Sequence, residues 1–226
     1  MSFNYLTIGG DCAPAAALRN LNLRECALPF DWIVSNINSL QKCFETNFVN
    51  FHKKIVLNRT KTRLIDYYGF EFPHDYPLSH MNDVENNIGE GAFGEENGKC
   101  ITDKWNDYYG IVLDKYNRRI ERFKNIINED KPIIVLCKYT TRDVLELQKL
   151  FIKYYKITNI YFINSSNEIF ENDNIKNIYT EKNNIWNDVN VWKEGIYCII
   201  KKINSKNRCV LHPNVVNHSS SMFRIK

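Results

Sequence analysis

Two short stretches of this chain carry side chains that could make and break acyl bonds. The first is Gly9-Gly10-Asp11-Cys12, followed by Ala13-Pro14-Ala15-Ala16-Ala17-Leu18. Asn4–Ile8 in front of it reads as a short strand. The alanine-rich run behind it reads as a helix start, where proline in the first turn costs little. Cys12 is therefore expected just past the carboxyl end of a strand, facing the unpaired N–H groups and partial positive charge of a helix N-terminus. That field favours a thiolate, and the same amides could hold an oxyanion. Gly9 and Gly10 allow a tight turn and a close approach of substrate, whereas the Asp11 carboxylate works against the thiolate. The expectation is a Cys12 pKa below the unperturbed value of about 8.5. Its alkylation near neutral pH should then outpace that of the other six cysteines, with Cys137 and Cys198 slowest. The competing reading is a small buried residue under a helix start, the commoner fate of a cysteine.

The second stretch is Pro73-His74-Asp75 within an aromatic loop. An imidazole there could reach the end of the sheet at which Cys12 is expected. His80 is the runner-up, and His212 and His218 read as tail residues. Two carboxylates could orient the imidazole. Asp75 is its sequence neighbour, a placement that seldom allows an acid to orient the ring. Asp31 lies between Phe30 and Trp32 in a compact aromatic turn, where it could equally be a turn cap. If Asp31 orients His74, Asp31→Asn should keep the fold and lower turnover by orders of magnitude through the wrong tautomer. Arg118, Arg119 and Arg122 could clamp a phosphate or carboxylate, or form a solvated face paired with Glu121 and Asp114. Thr140 and Thr141 follow an apolar run and should lie at the ligand edge of a sheet, unless they only cap a helix. No cysteine pair has metal-ligand spacing, so no metal is expected.

These residues need elements to place them. Pro132–Cys137 is a continuous apolar run, as a buried parallel strand requires. Asn159–Ile163, Ile175–Tyr179 and Ile196–Ile200 are further strand candidates. Amphipathic spacing predicts helices over Ser39–Phe51, Asp107–Ile127 and from Thr140-Thr141 to Tyr154. Strands alternating with helices imply a parallel sheet. The fold expected is α/β: a three-layer sandwich with a mainly parallel sheet and the nucleophile turn after the first strand. Residues 1–204 would form the catalytic domain, and 205–226 a tail or the lead into a linker. Residues 58–108 are irregular, and Glu85–Lys99, rich in glycine, would act as a lid over the ligand.

Composition limits the function classes. The 226 residues are 44% hydrophobic and 25% charged, which suits a globular core and excludes wholesale disorder. No apolar run approaches a membrane span. The net charge of +4 is too mild to indicate a nucleic-acid partner. Seven cysteines, odd in number, point to a reducing compartment such as the cytoplasm. The abundance of Asn, Ile and Lys is consistent with AT-rich coding and a viral protein in a host cytoplasm.

Residues 8–33 (IGGDCAPAAALRNLNLRECALPFDWI), 70–76 (FEFPHDY) and 115–123 (KYNRRIERF) together resemble the DUF1796 family, described as papain-like cysteine peptidases. The resemblance implies Cys12 as nucleophile and His74 as base, with Asp75 or Asp31 orienting it. The strand before the cysteine is also similar in layout to SGNH-type sandwiches and to WcbI-type polysaccharide acetyltransferases, although a late Asp-x-x-His block is missing. The function expected is acyl transfer through a Cys12 thioester. Acetyl-CoA would be the donor and a sugar or nucleotide sugar the acceptor. The alternatives are a cysteine peptidase or thioesterase, and a non-catalytic binding module.

Overall fold

The computed structural model describes residues 2–80, 99–180 and 189–211. The expected lid Glu85–Lys99 lies outside them except for Lys99, as do His212 and His218. The centre of the molecule is a four-stranded parallel sheet of β1 (Asn4–Ile8), β7 (Ile133–Cys137), β8 (Ile160–Ser166) and β9 (Ile175–Tyr179), in the order β1-β7-β8-β9. Helices α1 (Ala13–Asn20) and α5 (Val189–Leu211) cover one face. On the other face lie α2 (Ile37–Glu45), α3 (Tyr109–Ile127) and α4 (Thr141–Tyr155). The protein is thus a three-layer α/β sandwich. The run of β7 is continuous in apolar residues because both faces are covered. Ile133, Val135 and Cys137 join the core under α3 and α4, while Ile134 and Leu136 join the core under α1 and α5.

An antiparallel sheet of β2 (Val56–Leu57), β3 (Leu64–Ile65) and β4 (Glu71–Phe72), and a ribbon of β5 (Leu78–His80) with β6 (Lys99–Ile101), fill the stretch that reads as irregular. Phe30 packs its ring against Phe44, Phe48, Phe51, Phe70 and Phe123. The turn carrying Asp31 and Trp32 is thereby fixed to the core.

Two elements differ from expectation. Ile196–Ile200 is not a strand but the middle of α5, which runs on to Leu211. Trp192, Ile196, Ile199 and Ile203 are buried at helical spacing, while Tyr197 faces solvent. A five-residue apolar run fits either period, and the residues flanking it decide. The helix expected over Ser39–Phe51 stops at Glu45. Asn36 caps its start by accepting from the Ser39 N–H, and Asn47 and Phe48 then take left-handed backbone conformations. No helix among the described residues is long and apolar enough to cross a membrane.

Candidate active site

The turn after β1 is held by steric fit. β1 pairs with β7 in register from Asn4↔Ile133 to Ile8↔Cys137, so Gly9 and Gly10 emerge beside Lys138. A Cβ on Gly10 would lie 2.5 Å from the Lys138 carbonyl oxygen, and one on Gly9 2.1 Å from that of Asp11. Only glycine leaves room for the chain to pass so close. Asp11 then ties the turn down. Its Oδ2 pairs with Lys138 Nζ at 2.5 Å, and its Oδ1 accepts from the Ala13 N–H at 2.9 Å. Both oxygens of its carboxylate thus hold the scaffold of the turn. One consequence corrects the expected oxyanion site: the Ala13 amide is already engaged, and Pro14 has none to offer.

Cys12 is the N-cap residue of α1. Its Sγ lies 3.2 Å from His74 Nε2. The imidazole is presented by a loop whose other members are anchored. Phe72 and Tyr76 are fully buried. The Tyr76 hydroxyl lies 2.6 Å from Nε2 of the buried His52. Asp75 accepts from Lys115 Nζ at 2.5 Å and from the Tyr116 hydroxyl at 2.6 Å. His74 therefore has little freedom to leave the thiol.

The electrostatics reverse the expectation for Cys12. Burial, and after it the Asp11 carboxylate, push the thiol up to about 12, against a lowering by Arg63. The helix N-terminus does not compensate for the burial of a residue that is only 3% exposed. Burial also lowers His74 from its ordinary value, with Asp75 opposing and Arg63 assisting. Cys12 and His74 thus rest as a neutral thiol–imidazole pair.

Asp31 does not meet the expectation of orienting His74. Its carboxylate accepts from the Thr7 hydroxyl, from Arg24 Nε and Nη2 at 3.0 and 2.9 Å, and from the Leu28 N–H at 3.0 Å. It locks the 24–31 segment to β1. We expect Asp31→Asn to cost roughly 1–3 kcal/mol of stability through the loss of charge beside Arg24. Turnover per folded molecule should stay within a few-fold. Urea unfolding alongside steady-state rates checks this, and a rate loss of orders of magnitude at unchanged stability would return the orienting role to Asp31.

Of the three arginines, only Arg119 reaches the site. It lines a cleft of about 530 Å³ together with Arg19, Arg24, Trp32, His74 and Lys115. Arg122 donates to the Ala27 carbonyl at 3.4 Å, and Arg118 points to solvent. Thr140 is the N-cap of α4, accepting from the Asp143 N–H at 3.1 Å, and Thr141 accepts from Asn177 at 2.9 Å. Both hydroxyls thus serve local structure, Thr140 by capping α4 and Thr141 by tying it to β9. His80 belongs to β5, opposite Lys99, and its side chain lies outside the described residues. Among the described residues no group of three or more His, Cys, Asp or Glu side chains could hold a metal.

The site also contains residues that the sequence did not single out. Trp32 has φ of 62°, a conformation uncommon for a bulky residue and typical of functional sites. Its ring packs edge-on to His74 at 6.3 Å and carries the Arg19 guanidinium 4.8 Å above it. Arg19 follows Cys12 by two helical turns, so its place on the same side of α1 was readable from spacing. Lys115 and Tyr116 come from the KYNRRIERF segment, and no local signal separates them from their neighbours. Arg63 pairs with Glu71 at 3.6 Å and acts on both members of the Cys–His pair.

The family model described as "Putative papain-like cysteine peptidase (DUF1796)" matches residues 3–168, a span that contains every element of this site. The chain belongs to that family. No curated protein and no solved structure matches it.

Proposed function

From membership of a cysteine-enzyme family, we propose that this protein transfers acyl groups through a thioester on Cys12. The observation that carries the reading is the 3.2 Å contact between Cys12 Sγ and His74 Nε2, at the carboxyl edge of a parallel sheet, where α/β proteins gather their ligands. A binding module would have no use for a nucleophile–base pair at that edge. His74 Nε2 takes the thiol proton as Sγ bonds to the acyl carbon. The tetrahedral intermediate then expels its leaving group, which collects the proton from His74. The acceptor next attacks the thioester while His74 takes the acceptor's proton, and Cys12 departs and recovers it.

In the reading we favour, the donor is acetyl-CoA and the acceptor an amine or hydroxyl of a sugar or nucleotide sugar. Thiol-to-thioester exchange is close to balanced in energy. The placement of the nucleophile after the first strand supports this choice, in the manner of SGNH-type and WcbI-type enzymes. The cleft of about 530 Å³ beside His74 has room for a small substrate. A second reading, hydrolysis of peptides, is favoured by the description of the family. The free thiols of Cys26, Cys43, Cys137 and Cys198 suit work in the cytoplasm.

The test is intact-mass measurement of the full chain after incubation with acetyl-CoA, and separately with a peptide panel. One acetyl group is expected on Cys12, absent from Cys12→Ser. Peptide cleavage without acetylation would select the second reading. Neither product would remove acyl transfer.

A further inference from the structure

Two of the positive charges in the cleft beside His74 have no salt-bridge partner among the described residues, although the Asp75 carboxylate feels one of them, Arg119. Four cationic side chains line it: Arg19, Arg24, Lys115 and Arg119. Asp31 matches Arg24 at 2.9 Å, and Asp75 matches Lys115 at 2.5 Å. Arg19 and Arg119 make no ion pair with any described residue. Glu121 on the same helix pairs with Lys124, and Asp75, which feels the Arg119 charge, accepts its hydrogen bonds from Lys115 and Tyr116.

Both guanidinium groups lie over aromatic rings. Arg19 sits 4.8 Å from the centre of Trp32, and Arg119 sits 5.1 Å from that of Tyr116. Stacking uses the face of a guanidinium and leaves its N–H edge free to fork onto an oxyanion. Arg119 carries the sharper sign, because its Nη1 is shut off from water and has no acceptor among the described residues. A buried donor left unmet is costly, and a small shift of the side chain onto a ligand oxygen would meet it.

We infer that the substrate of this enzyme carries an oxyanion, phosphate or carboxylate, held in the cleft by the guanidinium forks of Arg19 and Arg119 next to His74. The inference rests on the acyl-transfer reading of the Cys12–His74 pair and names the class of molecule that pair acts on. It also supplies what the resting pair lacks. A negative charge seated beside the imidazole favours its protonated form, so substrate binding strengthens the base that must take the thiol proton. Molecules without the anion would meet a site whose base is weakened by burial.

The experiment is calorimetric titration of the full chain with inorganic pyrophosphate and with succinate, at low and moderate salt. The proteins are wild type, Cys12→Ala, Arg19→Gln, Arg119→Gln and Arg119→Lys. At least one anion should bind, and the tighter of the two identifies phosphate or carboxylate. Affinity should fall at least tenfold in Arg19→Gln and Arg119→Gln, fall several-fold in Arg119→Lys, and stay unchanged in Cys12→Ala. Melting temperatures establish that each variant folds. If Arg119→Gln does not, Arg119→Lys decides, since it keeps the charge and loses only the fork. Binding of neither anion, or equal affinity in the folded arginine variants, overturns the inference. Anion binding without any acyl group on Cys12 would instead overturn the acyl-transfer reading and leave the anion site standing.

Discussion

Cys12→Ser is expected to lower turnover by roughly 10⁴-fold or more, the scale on which members of a nucleophile–base unit act. The melting temperature should barely move, because the hydroxyl can keep the contact with His74 Nε2. The pH dependence should be that of a neutral pair. Burial lowers His74 from its ordinary value of 6.5, and the imidazole must be neutral to accept a proton. The acid limb of kcat/KM for the free enzyme therefore falls below pH 6.5. Burial holds the Cys12 thiol up to about 12, so no thiolate should titrate at this position below pH 8.5. For the same reason Cys12 should not be the first cysteine alkylated by iodoacetamide at pH 7. The half-buried Cys100 and Cys198 should react sooner, and Cys137, buried in β7, should lag. Peptide-mapped alkylation against pH reads all of this. A Cys12 that reacts first, with a midpoint below 8.5, would establish a preformed ion pair and overturn the neutral one.

What could be read in the chain, and what could not, divides along sequence separation. The sheet was legible because burial on both faces writes a continuous apolar run at Pro132–Cys137, and helical spacing brackets it. Cys12 was legible because a strand, two glycines and a helix start are neighbours in sequence. His74 needed the family resemblance, since its separation of 62 positions from Cys12 hides the contact from any local pattern. The assignment of the carboxylates was not legible at all. Asp31 and Asp75 look alike as acids among aromatics, and their roles are set by which cation reaches each. Arg24 is seven residues from Asp31, but Lys115 is forty from Asp75. The depressed thiol pKa failed for a related reason. A helix N-terminus can be recognised locally, but the depth at which its first residue is buried belongs to the whole fold. Unmatched charge at Arg19 and Arg119 becomes visible only after every other carboxylate nearby has been allotted.

Asp75→Asn should produce the largest loss of stability among conservative changes near the site. The carboxylate is 5% exposed and bridges Lys115 and Tyr116 at 2.5 and 2.6 Å. Neutralising it leaves Lys115 half-buried without its counter-ion, at a cost of about 3 kcal/mol, the low end for a broken buried pair because Lys115 keeps some contact with water. The pairing with Lys115 holds the Asp75 carboxyl below its ordinary value despite burial. Its folded pKa is therefore lower than its unfolded one. The stabilisation is fully present above about pH 4 and is lost as pH falls through the folded value. Asp75→Asn should remove that acid-side dependence together with the stability. Adding Lys115→Met should restore part of the loss, because an apolar side chain is cheaper to bury than an ammonium without its counter-ion. Catalysis supplies the readout that a purely structural role would leave unmoved. The Asp75 charge raises His74 against the lowering by burial, so its removal should shift the acid limb of kcat/KM to lower pH and weaken the base. Urea unfolding across pH and the rate profile of the same variant measure the two halves. An unchanged acid limb in a folded Asp75→Asn protein would confine Asp75 to holding the loop, and leave Arg63 and burial to set the basicity of His74.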